Sequence, residues 1–125
     1  MPKEIIIADD DPVTLRLLTR IINLAGYETV AARNGQEALE MIRQHQPALV
    51  LIDIMMPRLD GFEVCEQIRH DPNLIKQPYI IMLTARDYTA DYKRAETVGV
   101  NEFINKPFSP AKVSARVQAV LGQAN

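Results

Sequence analysis

A doubly wound α/β sheet, five parallel strands alternating with five helices, is the fold this sequence predicts. Three observations predict it. Apolar runs of strand length alternate strictly with helix-period segments along the whole chain, and that alternation with right-handed crossovers builds a parallel sheet covered on both faces. The run ALVLID at 48–53 is apolar on successive residues, as a strand buried on both faces must be. The runs end in polar residues followed by turn formers, which is how strands deliver side chains to the carboxyl edge of an open sheet, where ligand sites of such folds lie.

Residues 4–8 (EIIIA) form a β-branched first strand that runs into Asp9, Asp10 and Asp11. Pro12 suits the first position of a helix with Asp11 as its N-cap. That helix is expected to bury Val13, Leu17, Ile21 and Leu24, with help from Leu18 and Ile22, and to stop at Gly26. Residues 28–32 (ETVAA) make a short second strand. Asn34 then caps a helix with Ala38, Leu39, Met41 and Ile42 on its apolar face, closed before Pro47.

The third strand lies in the stretch 48–61, which delivers Asp53 to its end and then breaks into a loop with Pro57 and Gly61. Phe62, Cys65 and Ile68 mark the third helix, and Asp71 to Pro78 reads as a connection. Residues 79–83 (YIIML) give a fourth buried strand ending at Thr84. The helix over about 88–98 has only a thin stripe of Tyr92, Ala95 and Val98, the pattern of a mobile or partner-facing helix. Residues 101–104 (NEFI) make the fifth strand, Lys106-Pro107 follows, and Ser109 with Pro110 opens a last helix carrying Val113, Val117, Val120 and Leu121.

At 125 residues the chain fits one domain, and it is long enough to build a core without disulfides. A composition 47% hydrophobic with a formal charge of -2 gives no electrostatic ground for direct nucleic-acid or bilayer binding. The single Cys65 falls among apolar helix positions and reads as core filler. The apolar run near the N-terminus is too short for a signal peptide and nothing approaches a membrane span, so a cytoplasmic location is expected.

If the strands are parallel, one rim of the sheet collects Asp9, Asp10, Asp53, Thr84 and Lys106. Taken singly, each has an ordinary role in a turn or cap. Together they pose an electrostatic problem, since three close carboxylates repel and call for a cation. Hard oxygen donors without a Cys or His cluster suit Mg²⁺ with retained waters better than Zn²⁺, and Mn²⁺ is the alternative ion. A metal, an ammonium and a hydroxyl around Asp53 would neutralise a phosphoryl group in transfer, with Asp53 as the attacking carboxylate. Asp11 is adjacent to the acidic pair, but its place before Pro12 favours the cap. His45 and His70 follow polar helix ends and suit solvated or dipole-complementing positions.

The segments IIIADDDP, LIDIMMPRLDG, LTA at 83–85 and NKPF at 105–108 occur in an order and at spacings that closely resemble the receiver domain of two-component response regulators, over essentially the whole chain. The resemblance implies a flavodoxin-like strand order 2-1-3-4-5 and one receiver domain over 1–125, standing alone or opening a longer regulator. It implies that Asp53 is the phosphoacceptor, that Asp10 binds Mg²⁺ directly and Asp9 mainly through water, and that Met55 lends a backbone carbonyl to the ion. Thr84 matches the switch hydroxyl, Lys106 the phosphate-pairing cation, Phe103 the aromatic that reorients on activation, and Ala85 the small residue that leaves the phosphoryl group room. Lys106-Pro107 matches a cis peptide. Met55 and Arg86 flank the site at positions that tune acyl-phosphate lifetime.

The partners implied are a sensor histidine kinase or histidine phosphotransfer protein and a downstream effector, reached through the surface of the fourth helix, fifth strand and fifth helix; phosphorylation-dependent pairing of two copies is compatible with this. A phosphatase working through an aspartyl phosphate is the enzyme alternative, but the second acid it needs two residues after the nucleophile is replaced by Met55. A nucleotide binder or phosphorylation-independent interaction module is the third reading, and no glycine-rich phosphate loop supports it.

Overall fold

In the computed structural model, which describes residues 4–85 and 89–122, the strands are β1 (Glu4–Ala8), β2 (Glu28–Ala32), β3 (Leu49–Asp53), β4 (Tyr79–Thr84) and β5 (Glu102–Asn105). The helices are α1 (Pro12–Leu24), α2 (Gly35–His45), α3 (Gly61–Arg69), α4 (Thr89–Val98) and α5 (Pro110–Leu121). All neighbouring strands pair in parallel, in the order β2-β1-β3-β4-β5. The expected fold class is therefore the observed one.

Alternation along the strands divides the interior in two. Ile6, Val50, Ile52, Ile80 and Met82 face α2, α3 and α4, where they meet Leu39, Ile42, Phe62, Cys65 and Ile68. Ile5, Ile7, Leu49, Leu51, Ile81 and Leu83 face α1 and α5, against Leu18, Ile22, Val113, Val117 and Leu121. Every residue of β3 is buried, because the strand is central and covered on both sides. Cys65 is core filler as expected; burial pushes its thiol up to about 11, so it stays protonated.

The caps lie where the sequence places them. Asp11 accepts from the Val13 N–H, Asn34 from Glu37 and Ser109 from Lys112. Asp60 and Glu63 form a reciprocal capping box at the start of α3, a device the sequence reading did not use. His45 pairs with Glu4 across 2.9 Å, while a ring nitrogen of His70 lies 2.9 Å from the Glu66 carbonyl.

Two expectations need correction. The fifth strand begins at Glu102 rather than at Asn101, because Asn101 is used as a side-chain bridge: its Oδ1 accepts from the Ile80 N–H at 2.7 Å and from Arg69 Nη2 at 2.8 Å. The buried face of α1 is also misassigned. Val13, Leu17 and Leu24 are exposed, Leu24 to 77%, whereas Leu15, Leu18, Ile21 and Ile22 are buried. Apolar residues surround most of this helix, so periodicity alone does not select the inner stripe. The rotation follows from how the chain leaves β1, where Asp9 Oδ1 accepts from the Asp11 N–H at 2.9 Å and Asp11 caps the helix.

Among the described residues, the C-terminal half of α4 is held by several contacts. The Cys65 thiol donates to the Val98 carbonyl, and Arg69 Nε donates to the Gly99 carbonyl at 2.9 Å. Further along, Arg94 lies over the Phe62 ring, 4.6 Å from its centroid, and 3.8 Å from Asp60. Of the expected stripe, Ala95 and Val98 are buried; the side chain of Tyr92 lies outside the described residues.

The corrected α1 face is testable by urea unfolding. Leu18→Ala is expected to cost about 2–5 kcal/mol, as a fully buried leucine does. Leu17→Ala, at a position 44% exposed, is expected to cost less than about 1 kcal/mol. The face proposed from periodicity predicts comparable losses for both.

Candidate functional site

The rim is assembled by strand ends brought level by parallel pairing. Asp53 is the last residue of β3 and pairs with Leu83 of β4; Thr84 ends β4 and pairs with Asn105 of β5. The chain just past β5 is tied back by the Lys106 N–H, which donates to the Thr84 carbonyl at 2.7 Å. The Asp9 N–H donates to the Ala32 carbonyl at 3.1 Å, fixing the exit from β1. The Lys106-Pro107 peptide is cis.

From this position the Lys106 ammonium donates to Asp9 Oδ2 at 2.9 Å and lies 3.3 Å from Asp53 Oδ2. Asp9 is fully buried, and its second oxygen accepts from the Asp11 backbone. Asp53 is 7% exposed, whereas Asp10 is exposed. One carboxylate oxygen from each of Asp9, Asp10 and Asp53 lies within 4.8 Å of the others. Thr84 is buried beside this group, Phe103 is half-buried one position before Ile104 on β5, and Ala85 is exposed. The Met55 side chain stands 64% exposed on the loop after β3. Arg86 lies outside the described residues.

Electrostatics follow from this packing. Burial raises the Asp53 pKa, the Asp9 charge raises it further, and Lys106 only partly offsets both. Burial works against the Lys106 ammonium too, but its hydrogen bond to Asp9 and the charges of Asp53 and Asp9 outweigh that and raise its pKa. The rim thus sets three acidic side chains against one ammonium and is partly open to solvent. A hard divalent cation fits that donor set: the ligand atoms are carboxylate oxygens, close together, with an exposed side at Asp10.

Three further residues shape the site without carrying its chemistry. Gly35 lies under the loop after β3, where an added Cβ would come within 1.9 Å of the Leu59 carbonyl oxygen. Gly61 lies beside the β3 backbone, where a Cβ would be 2.6 Å from the Asp53 carbonyl oxygen. Arg58 holds φ at +74, an unusual conformation for a residue with a side chain. Gly35 had a legible signal, since glycine is a poor choice for a first helical turn unless something must approach closely.

The carboxyl rim of a parallel α/β sheet thus gathers two buried acids and one exposed acid around a single lysine. Residues 5–118 match the family described as response regulator receiver domain, and the chain belongs to that family. It is thus a regulatory module of two-component signalling. It is 38% identical over 121 residues to the alkaline phosphatase synthesis transcriptional regulatory protein PhoP of Bacillus subtilis, covering 97% of this chain and 49% of that protein. It is 36% identical over 124 residues to the polar-differentiation response regulator DivK of Brucella anthropi, covering 99% of this chain and 100% of DivK. The chain thus spans about half the length of the first curated relatives it matches, and the whole of DivK. Among solved structures, the receiver domain of the sensor histidine kinase PA1611 from Pseudomonas aeruginosa, with magnesium coordinated in its active-site cleft, superposes with a TM-score of 0.86. The two are 27% identical, with 98% of this chain and 100% of that one covered. Among the described residues no helix is long and apolar enough to cross a membrane.

The raised Asp53 pKa sets a pH dependence. The folded carboxyl holds its proton to higher pH than the unfolded one, whose pKa is near 3.8, so ionisation opposes folding and its cost grows as pH rises from that value through the raised folded pKa. In metal-free buffer Asp53→Asn is therefore expected to stabilise the fold at pH 7. The gain should shrink as pH falls towards the unfolded value. Urea midpoints of both proteins across that range check it.

Proposed function

We propose that the chain is a phosphorylation-controlled switch in which Asp53 accepts a phosphoryl group from the phosphohistidine of a sensor histidine kinase or a histidine phosphotransfer protein. The observation that carries this reading is the Lys106 ammonium set between Asp9 and Asp53, with the exposed Asp10 carboxylate beside them. In the transfer an Asp53 carboxylate oxygen bonds to phosphorus as the P–N bond breaks, and its electron pair returns to the imidazole.

Asp10, Asp53 and the Met55 backbone carbonyl would hold a Mg²⁺ ion, with Asp9, already bonded to Lys106 and the Asp11 N–H, acting mainly through water. Mn²⁺ suits the same donors. When bound, the ion supplies positive charge against the equatorial phosphoryl oxygens. Lys106 pairs with one of those oxygens, trading part of its carboxylate contacts for the new anion. The Thr84 hydroxyl donates to another, and Phe103 moves inward, changing the surface of α4, β5 and α5 that an effector or a second copy of the chain reads. New charge-assisted hydrogen bonds are enough to bias such a two-state element by a few kcal/mol.

The chain assists its own phosphorylation and dephosphorylation and turns over no outside substrate. Support comes from Met55 at the position where a phosphatase of this kind needs a second acid. Incubation with Mg²⁺ and acetyl phosphate should add one phosphoryl group by intact mass, and Asp53→Asn should abolish it. Absence of the adduct, under conditions that label an established receiver, sinks the switch reading. Catalytic release of phosphate from ordinary phosphoesters points to the enzyme instead.

A further inference from the structure

We propose that the turn between β2 and α2, residues 32–35, is a strut that sets the spacing of the metal-binding rim, and that Gly35 is its positioning residue. The inference rests on the reading of the rim as a Mg²⁺ site. It concerns residues that contribute no ligand to the ion.

The turn touches both halves of the rim. On one side the Ala32 carbonyl accepts from the Asp9 N–H at 3.1 Å, which fixes the chain carrying Asp9 and Asp10. On the other, Gly35 supports Leu59 on the loop that carries Met55. An added Cβ on Gly35 would lie 1.9 Å from the Leu59 oxygen and 2.6 Å from its Cβ, against ordinary contacts of 3.4–4 Å. The turn is itself stiff: the Asn34 side chain accepts from the Glu37 N–H at 2.9 Å, and the Glu37 carboxylate accepts from the Arg33 N–H at 3.0 Å.

The supported loop needs an outside hold. Residues Pro57 to Leu59 form a three-residue turn closed by the Leu59 N–H donating to the Pro57 carbonyl at 3.0 Å, with Arg58 at φ +74. That form of γ-turn is rare and strained, and such backbones persist only where their surroundings over-determine them. Here the surroundings are two helix starts. The Gly61 N–H donates to the Ile54 carbonyl at 2.9 Å from the α3 side, and Gly35 presses from the α2 side. The half-buried Leu59 side chain adds an apolar anchor in the core.

The consequence is quantitative. Restoring ordinary contact after Gly35→Ala requires Leu59 and residue 35 to separate by at least 1.5 Å (3.4 − 1.9). Mg²⁺ demands near-ideal octahedral geometry at short bond lengths, so a shift of that size, passed four residues along a tight loop to Met55, spoils its site.

The test compares Mg²⁺ affinity, read from amide NMR shifts during titration, in wild type, Gly35→Ala, Leu59→Ala and Val117→Ala. Val117 is fully buried on the opposite face of the sheet and serves as a control for general destabilisation. Gly35→Ala is expected to weaken Mg²⁺ binding about tenfold or more and Leu59→Ala at least about threefold, while Val117→Ala stays within about twofold. If Gly35→Ala fails to fold, Leu59→Ala decides. Folded variants that bind like wild type, or a Val117→Ala loss as large as theirs, overturn the strut alone. Wild type that binds no Mg²⁺ overturns the metal reading of the rim and the strut with it.

Discussion

The rim depends on one contact, the Lys106 ammonium between Asp9 and Asp53. A fully buried carboxyl group just past β1 and a nearly buried one at the end of β3 are costly to hold side by side without a cation between them. The cation comes from the far edge, beyond β5, and it reaches the centre because the chain there is tied to β4 through the Thr84 carbonyl. One side chain thus links the edge of the sheet to its middle.

The elements around the rim are held in different ways. The two apolar faces of the sheet and the capped helices α2 and α3 are fixed, and both present glycines to the β3 loop because backbone must approach backbone there. α4 is attached differently. Its C-terminal end is fastened through Cys65 and Arg69, while further up it is held by Arg94 over Phe62 and near Asp60, contacts at partly exposed positions. Such surface charge contacts are individually weak. At the other end of β5, Arg116 makes paired hydrogen bonds to Glu102 at 2.9 and 2.7 Å, and Tyr79 donates to Glu102 at 2.7 Å, which secures α5 to the sheet.

What could be read from sequence was what local chemistry decides. β1 and β2 were legible because apolar runs meet turn residues sharply, and Asp11, Asn34 and Ser109 were legible as caps because their types and spacing leave few alternatives. The rim followed, since parallel strands must end together. What stayed hidden depends on tertiary contact. Leu17 and Leu18 look alike in a helix that is apolar on most sides, and the exit from β1 chooses between them. Asn101 reads as strand but serves as a side-chain bridge to Ile80 and Arg69. Gly35 is a single letter whose reason, the Leu59 carbonyl, lies 24 residues away.

The most direct test of the central claim is chemical localisation of the phosphoryl group. After phosphorylation, reduction of the acyl phosphate with borohydride converts the modified aspartate to homoserine, and peptide sequencing by mass spectrometry then locates it. Homoserine is expected at position 53 alone. Homoserine at position 9 or 10, or phosphate retained on a residue other than aspartate, would contradict it.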